Sequence, residues 1–504
     1  MALYLKVKKL DLQAGDYLKV LLNRVDAENE SLVAGDKVWV STHDHEYSCT
    51  VNITDTKVGE GEVGFYSDIW DGTDLTAGSH VRIELMSKSK SVGHIAKKLQ
   101  GERFNEQEMA EIMKDIAQHK IRSAEMAYFM ATMFSPGFDD DEALFAVKGM
   151  VAAGEILDFK NVKKNGELVV DKHSIGGIAG KGITPLLVPI IASFGLIIPN
   201  TSTRAITSPA GTTDILEVVM PVNFNGDEIQ EIVSKTGGVL AWGGNLNIAP
   251  ADDILIRVEK GLHVQSYQKF IISIVAKKLA MGISHILIDL PYGKETKISE
   301  PEDIELVSDS FIKLFNKVGI KCHIYARNVI GPDSRGIGPN LEIRDVLKIL
   351  ENDEGKSVEL EDAVVAMAGE LLEFAGKAKK GMGEGMARDC LDSGKAEKKF
   401  WEIAFAQGCK KKVSSKDIKL GEKKFEVLST KEGVLESISN KEVVKISRAL
   451  GTPGIKEAGI YFNKFLGDEI KNGDVLMTFY STAEQRIKDA QETYDEGKLF
   501  TYSS

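Results

Sequence analysis

The sequence predicts a multidomain α/β protein with a β-rich N-terminal extension, and three observations carry that prediction. At 504 residues the chain is too long for one ordinary core. Its hydrophobic share of 43% and charged share of 27% suit packed, water-facing domains. The apolar period also changes along the chain. It is strand-like over 1–85, helical from about Val92, mixed from Leu168 and strand-rich again after about Lys410.

The elements follow in that order. LYLKVKKLDL, DYLKVLLN, DKVWVST, SCTVNIT, GEVGFYS and SHVRIELM read as short strands between Gly, Asp and Asn turns, hence a small barrel or sandwich over 1–85. VGHIAKKLQ, FNEQEMAEIMKDIAQ, SAEMAYFMATMF and DDDEALFAVKGMVAAG have helical spacing, with Asn105 and Asp139–Asp141 as N-caps and Gly154 as a stop. LVVDKH, HILIDLPYG and KCHIYARNVIG then alternate with helices, giving an α/β core that extends the helical part over 86–420. The apolar run Ile183–Pro199 holds Pro185, Pro189 and Pro199 and is short for a bilayer crossing, so it reads as a buried helix. KKFEVLST, GVLESISN, AGIYFNKF and DVLMTFYS around a helix at 440–449 predict a C-terminal α+β domain over 421–504 with a lipoyl-like hairpin.

Composition narrows the function classes. A net charge of -12 disfavours a nucleic-acid or anionic-membrane surface, although a local cluster of lysines still binds a small anion. Cys49, Cys322, Cys390 and Cys409 are far apart, with no CxxC pair and no His at metal spacing, so neither a zinc site nor a disulfide framework is expected. The N-terminal stretch has no signal-peptide pattern, and a cytoplasmic protein is expected.

Two loops suggest phosphate chemistry. Asp171-Lys172-His173-Ser174-Ile175-Gly176-Gly177 runs through Gly180, Lys181 and Gly182 to Thr184, from a strand end into a helix start. Such a turn converges backbone N–H groups on a small volume, with Lys172 as charge and Ser174 and Thr184 as donors, or it is only a glycine-rich connection. Ser202 to Asp214 holds six hydroxyl residues and Arg204 in thirteen positions, a second anion-friendly loop or a set of turn-closing caps. Trp242-Gly243-Gly244-Asn245 with Ala249–Asp253 reads as a close-packed loop. Ser273 and Lys277, one helical turn apart, face a heterocycle together or lie at the solvent edge.

DKHSIGG, STRAITSPAGTTDILE, WGGN with APADD, the SxxxKK of Ser273–Lys278 and DSGKAEKKFWEIAFAQG together resemble the thymidine/pyrimidine-nucleoside phosphorylase family, in order, over nearly all of 90–490. The N-terminal extension and the RAITS core of Arg204–Ser208 are similar to the branch of that family acting on nucleoside 5′-monophosphates. The resemblance implies a homodimer or larger homo-oligomer. It also implies phosphorolysis of AMP, and of CMP or UMP, to free base and ribose 1,5-bisphosphate, with phosphate as co-substrate and no cofactor or metal. Carried over residue by residue, Lys172, Ser174, Thr184, Ser202 and Thr212 form the phosphate cradle. Gly177, Thr203, Arg204, Ala205, Ile206, Thr207, Ser208, Thr212, Ser273, Lys277 and Lys297 bind the nucleotide, and His173 handles a proton. Arg204 is the candidate to grip a 5′-phosphate, unless it packs within its own loop.

One departure bears on mechanism. Where that branch carries a proton-donating Asp, this chain has Gln265, which donates a hydrogen bond but has no dissociable proton. Either His263 or Lys297 then protonates the base, or the preferred base is a pyrimidine whose departure needs only hydrogen bonding, or activity is low. Closure of a phosphate-bearing part on a base-bearing part would exclude water. A pyrimidine-nucleoside phosphorylase, a phosphoribosyltransferase using pyrophosphate and magnesium, and a non-catalytic carrier with Lys441 near a turn are the competing readings.

Overall fold

A computed structural model describes the chain except residues 1, 16–17, 71–72, 160–161, 163–166, 206–207, 263–265 and 504, and the side chains of 68 and 260–262. Two compact units emerge, Met1–Gly154 with Ala249–Ala276, and Glu155–Ile248 with Lys277–Ser504.

The first unit opens with a closed six-stranded barrel: β1 (Ala2–Lys9), β2 (Lys19–Asn23), β3 (Lys37–Ser41), β4 (Glu46–Thr54), β5 (Glu62–Phe65) and β6 (His80–Leu85), in the order β1-β5-β2-β4-β3-β6. Closure leaves no strand edge unpaired. Val20, Leu22, Val38, Val40, Val51, Val63 and Phe65 alternate inward to fill it. Each predicted strand is present; the short helix Arg24–Asn29, capped by Asn23, is additional. Helices Lys90–Leu99, Glu106–Ala117, Ser123–Thr132 and Asp140–Ala152 follow. In Glu106–Ala117, Met109, Ile112, Met113 and Ile116 form one apolar stripe, and Asn105 and Glu108 exchange both bonds of a capping box. Asp139 caps the last helix likewise, and its third residue, Glu142, takes both oxygens to Lys98 Nζ, at 2.7 and 2.8 Å, in the core. Compactness groups these helices with the barrel, and brings Pro250–Leu262 and the start of Tyr267–Ala280 into the same unit.

The second unit is built on parallel strands β7 (Val170–Ser174), β8 (Ile198–Ser202), β9 (Gly238–Trp242), β10 (His285–Tyr292) and β11 (Lys321–Asn328). β11-β10-β7 and β8-β9 form two parallel sheets, joined by a parallel bridge between Val169 and Ile197. Helix Ile183–Ser193 is buried along its first ten residues despite Pro189, as its apolar run predicts. Helices Val358–Phe374 and Lys395–Ala406 pack against it. The C-terminal strands have a core of their own around Phe462, Phe479 and Phe500. Their four-stranded sheet starts with β12 (Gly336–Ile337) from earlier in the chain, then takes Gly459–Phe462, Val475–Ser481 and Lys423–Leu428. Among the described residues no helix is long and apolar enough to cross a membrane.

Candidate active site

Parallel sheets concentrate binding groups at the carboxyl ends of their strands. At the end of β7 the pleat sends Asp171 and His173 to one face and Lys172 and Ser174 to the other. Asp171 is fully buried. It accepts from the Lys172 N–H at 2.8 Å, from Asn200 Nδ2 on β8 at 2.7 Å, and from Lys278 Nζ at 2.5 Å. The lysine of the SxxxKK motif that the structure ties to the sheet is thus Lys278.

On the other face, Lys172 Nζ stands 3.6 Å from Asp289 Oδ2 of β10, an ion-pair distance beyond a good hydrogen bond. Asp289 is already held by Arg327 of β11, Nε at 2.7 Å and Nη2 at 3.3 Å, and Arg327 also grips Asp333 at 2.6 and 2.9 Å. Burial pushes the Asp289 carboxyl up, but Lys172 and Arg327, with a hydrogen bond from Ser174, more than offset it and hold it below its ordinary value. Burial lowers the Lys172 pKa, against the pull of Asp289. Asp289, Arg327 and Asp333 are absent from the sequence-based site. Asp289 alone carries a signal, an acid inside an apolar strand run; Arg327 sits in a mixed strand and Asp333 in a loop.

His173 is held well below its ordinary 6.5, first by burial and then by the positive charges of Lys278, Lys172, Lys277 and Lys297. Its imidazole is therefore neutral near pH 7, able to donate or accept one hydrogen bond but not to arrive protonated. The same influences bring Lys277 and Lys297 into the neighbourhood of the turn.

The turn itself needs glycine. Gly177 has φ +96°, and a Cβ there would lie 3.7 Å from the Lys297 nitrogen, so the turn runs against the loop bearing Lys297. The Lys181 N–H donates to Glu342 Oε2 at 2.6 Å, and burial raises the Glu342 carboxyl to about 7. Thr184 is buried in the first turn of Ile183–Ser193.

In the second loop, Ser202 ends β8 and its hydroxyl meets Thr213 Oγ1 at 2.9 Å. Asp214 Oδ2 accepts the N–H groups of Ala205 and Gly211, both at 2.7 Å, which draws the two ends of the loop together. Thr212 begins helix Thr212–Leu216, Ser208 donates to the Ala210 carbonyl, and Thr203 is exposed. Arg204 is engaged: its fork meets Glu217 at 2.9 and 2.5 Å and stacks 4.7 Å over Trp242. Packing within its own neighbourhood is therefore the arrangement found. Ile206, Thr207, Gln265 and His263 lie outside the described residues.

Ser273 belongs to the first unit. It is buried and donates to Asp252 Oδ2 at 2.5 Å, while Lys269 bridges Asp252 at 3.1 Å and Glu259 at 3.2 Å. The APADD segment thus supplies a buried carboxylate that fixes the Ser273 hydroxyl. Among the described residues no group of three or more His, Cys, Asp or Glu is placed to hold a metal.

Residues 166–397 match the glycosyl transferase family a/b domain, residues 92–154 the glycosyl transferase family helical bundle domain, and residues 434–498 the pyrimidine nucleoside phosphorylase C-terminal domain. With the strand-end lysine and the glycine turn, these matches define a glycosyl transferase of the nucleoside-phosphorylase class. AMP phosphorylase of Methanothrix thermoacetophila is 36% identical over 96% of this chain and 93% of its own length. AMP phosphorylase 1 of Archaeoglobus fulgidus is 38% identical over 94% and 92%, and AMP phosphorylase of Methanosarcina barkeri 35% over 97% and 95%. The chain belongs to the AMP phosphorylase family. Among solved structures, anthranilate phosphoribosyltransferase from Thermus thermophilus superposes with a TM-score of 0.51 at 18% identity, over 62% of this chain and 98% of that one. That likeness concerns the fold alone.

Proposed function

We propose that this protein uses inorganic phosphate to split the N-glycosidic bond of a nucleoside 5′-monophosphate, AMP foremost and CMP or UMP with it, as a homo-oligomer without a cofactor. The bond from C1′ to the base nitrogen breaks with its electron pair going to the base. A phosphate oxygen forms the new bond to C1′, yielding ribose 1,5-bisphosphate. The observation that carries this reading is Lys172, a buried lysine whose nearest described carboxylate, at 3.6 Å, is one already held by Arg327. A cation so placed at a strand end, beside a glycine turn, suits a dianion that must be fixed near a sugar carbon. Ser174, Thr184, Ser202 and Thr212 complete the proposed cradle, and Gly177, Lys277, Lys297 and Ser273 the nucleotide contacts. Gln265 stands at the proton-donor position, so the base leaves there on a hydrogen bond, or a proton comes from elsewhere.

The test is release of free base from each 5′-monophosphate with and without phosphate. Base should appear only with phosphate, should survive EDTA, and should fall about 10²–10³-fold in Lys172→Ala, as for loss of one preorganised donor. Unchanged phosphate-dependent release in Lys172→Ala would sink the reading. The engagement of Arg204 by Glu217 favours a second reading, a nucleoside phosphorylase without a 5′-phosphate grip. Faster cleavage of adenosine or cytidine than of AMP or CMP would decide for it.

A further inference from the structure

The glycine turn is held from outside its own sheet. Ala179, 1% exposed, belongs to the hydrophobic core of the C-terminal strands and not to that of the parallel sheet. Its N–H donates to Asn440 Oδ1 at 2.9 Å, and its carbonyl accepts from the Asp333 N–H at 3.0 Å. Asn440 is itself buried, as the first residue of helix Asn440–Leu450. Next to Ala179, Gly180 has φ +86°, and a Cβ there would lie 2.8 Å from Ser334 Oγ, so the peptide has no room to drift.

The same helix start holds a second loop. Ser439, the N-cap, donates to Glu295 Oε1 at 2.7 Å, and the Lys441 N–H donates to Glu295 Oε2 at 3.1 Å. A carboxylate here satisfies N–H groups that a helix start leaves without partners and meets the positive end of its dipole. Glu295 lies two residues before Lys297, in a turn closed by the Thr296 N–H on the Gly293 carbonyl at 3.0 Å.

We propose that Asn440 and Glu295 are positioning residues, through which the C-terminal domain sets the phosphate-binding turn and the Lys297 loop in register with each other. This rests on the phosphorolysis proposed above. Neither residue touches substrate. Asn440 acts through the Ala179 peptide, and Glu295 acts through the chain that leads to Lys297.

Steady-state rates with phosphate varied at saturating nucleotide, and the reverse, test it on the full-length protein. Asn440→Ala should raise the phosphate KM about tenfold, as expected for a buried N–H left without its acceptor, and change the nucleotide KM less than about twofold. Asn440→Asp keeps an accepting oxygen and should restore the phosphate KM to within about threefold of wild type. Glu295→Ala, on the exposed side, should raise the nucleotide KM more than the phosphate KM, and it reads the proposal even if Asn440→Ala fails to fold. An active wild type whose Asn440→Ala and Glu295→Ala forms keep both KM values overturns this inference alone. So does equal impairment in Asn440→Ala and Asn440→Asp. A wild type that releases no base overturns the proposed function, and this inference with it.

Discussion

Single side chains set the pH behaviour of the site. His173 is depressed below its ordinary 6.5 in the folded chain, by burial first and by its lysine neighbours second. Above that pH it is neutral whether folded or not and contributes nothing to the pH dependence. As the pH falls below it, the unfolded chain takes up a proton that the native chain refuses, and stability drops. Glu342 has the opposite sign. Its carboxyl rises from 4.5 to about 7, so its contribution is complete below 4.5 and is lost as the pH climbs through 7. Single variants separate the two. Urea midpoints for His173→Gln should fall less than wild type between about pH 6.5 and 5, whereas Glu342→Gln should fall more. Parallel slopes in all three proteins would show that neither group titrates as its surroundings dictate. At this scale the sequence disclosed much less than the structure. Lys172, His173 and Ser174 stand out as polar letters ending an apolar strand. Their partners come from far along the chain, Lys278 reaching Asp171 across 107 residues and Arg327 reaching Asp289 across 38. Periodicity reveals which face a residue occupies, not which residue it meets there.

Loops and helices show where local rules suffice. Asn105 and Asp139 are legible as caps because a capping box involves only residues three apart. The barrel strands are legible because each alternates on its own. Ser273 and Lys277 mark the limit. Spacing sets them on one face of one helix, yet the division between the compact units falls after Ala276, and the Ser273 hydroxyl is committed to Asp252. The 203–211 loop is another tertiary product, drawn in by Asp214. Gly211 sits so close to Thr203 and Ala205 that a Cβ would overlap the Thr203 carbonyl and come within 2.7 Å of the Ala205 nitrogen. Gly211→Ala should therefore displace Thr203–Ala205, raise the nucleotide KM at least about tenfold and lower stability by about 1–3 kcal/mol. An Ala variant with wild-type KM and melting temperature would mean that the loop does not contact the nucleotide and yields easily.

At the scale of the molecule, stability is divided among separate apolar cores. Phe65 is sealed in the barrel and Phe400 in the core of the parallel sheet, both fully buried. Removing either ring costs about 3–5 kcal/mol where it is felt, and a chain of several cores need not melt in one step. Calorimetry should resolve more than one transition, Phe65→Ala lowering one and Phe400→Ala another. A single transition moved equally by both would show one cooperative unit. Across the boundary near 420, where the sequence pattern returns to strands, β12, at Gly336–Ile337, pairs with Gly459–Phe462 from beyond it. The clasp between Ala179 and Asn440 spans 261 positions of the chain. A ribosome therefore makes the glycine turn long before it makes Asn440, and under the positioning role proposed above a nascent chain stays catalytically immature until Asn440 has emerged. A message truncated between Thr212 and Asn440 would yield a polypeptide bearing every proposed phosphate ligand but lacking the Asn440 contact to Ala179.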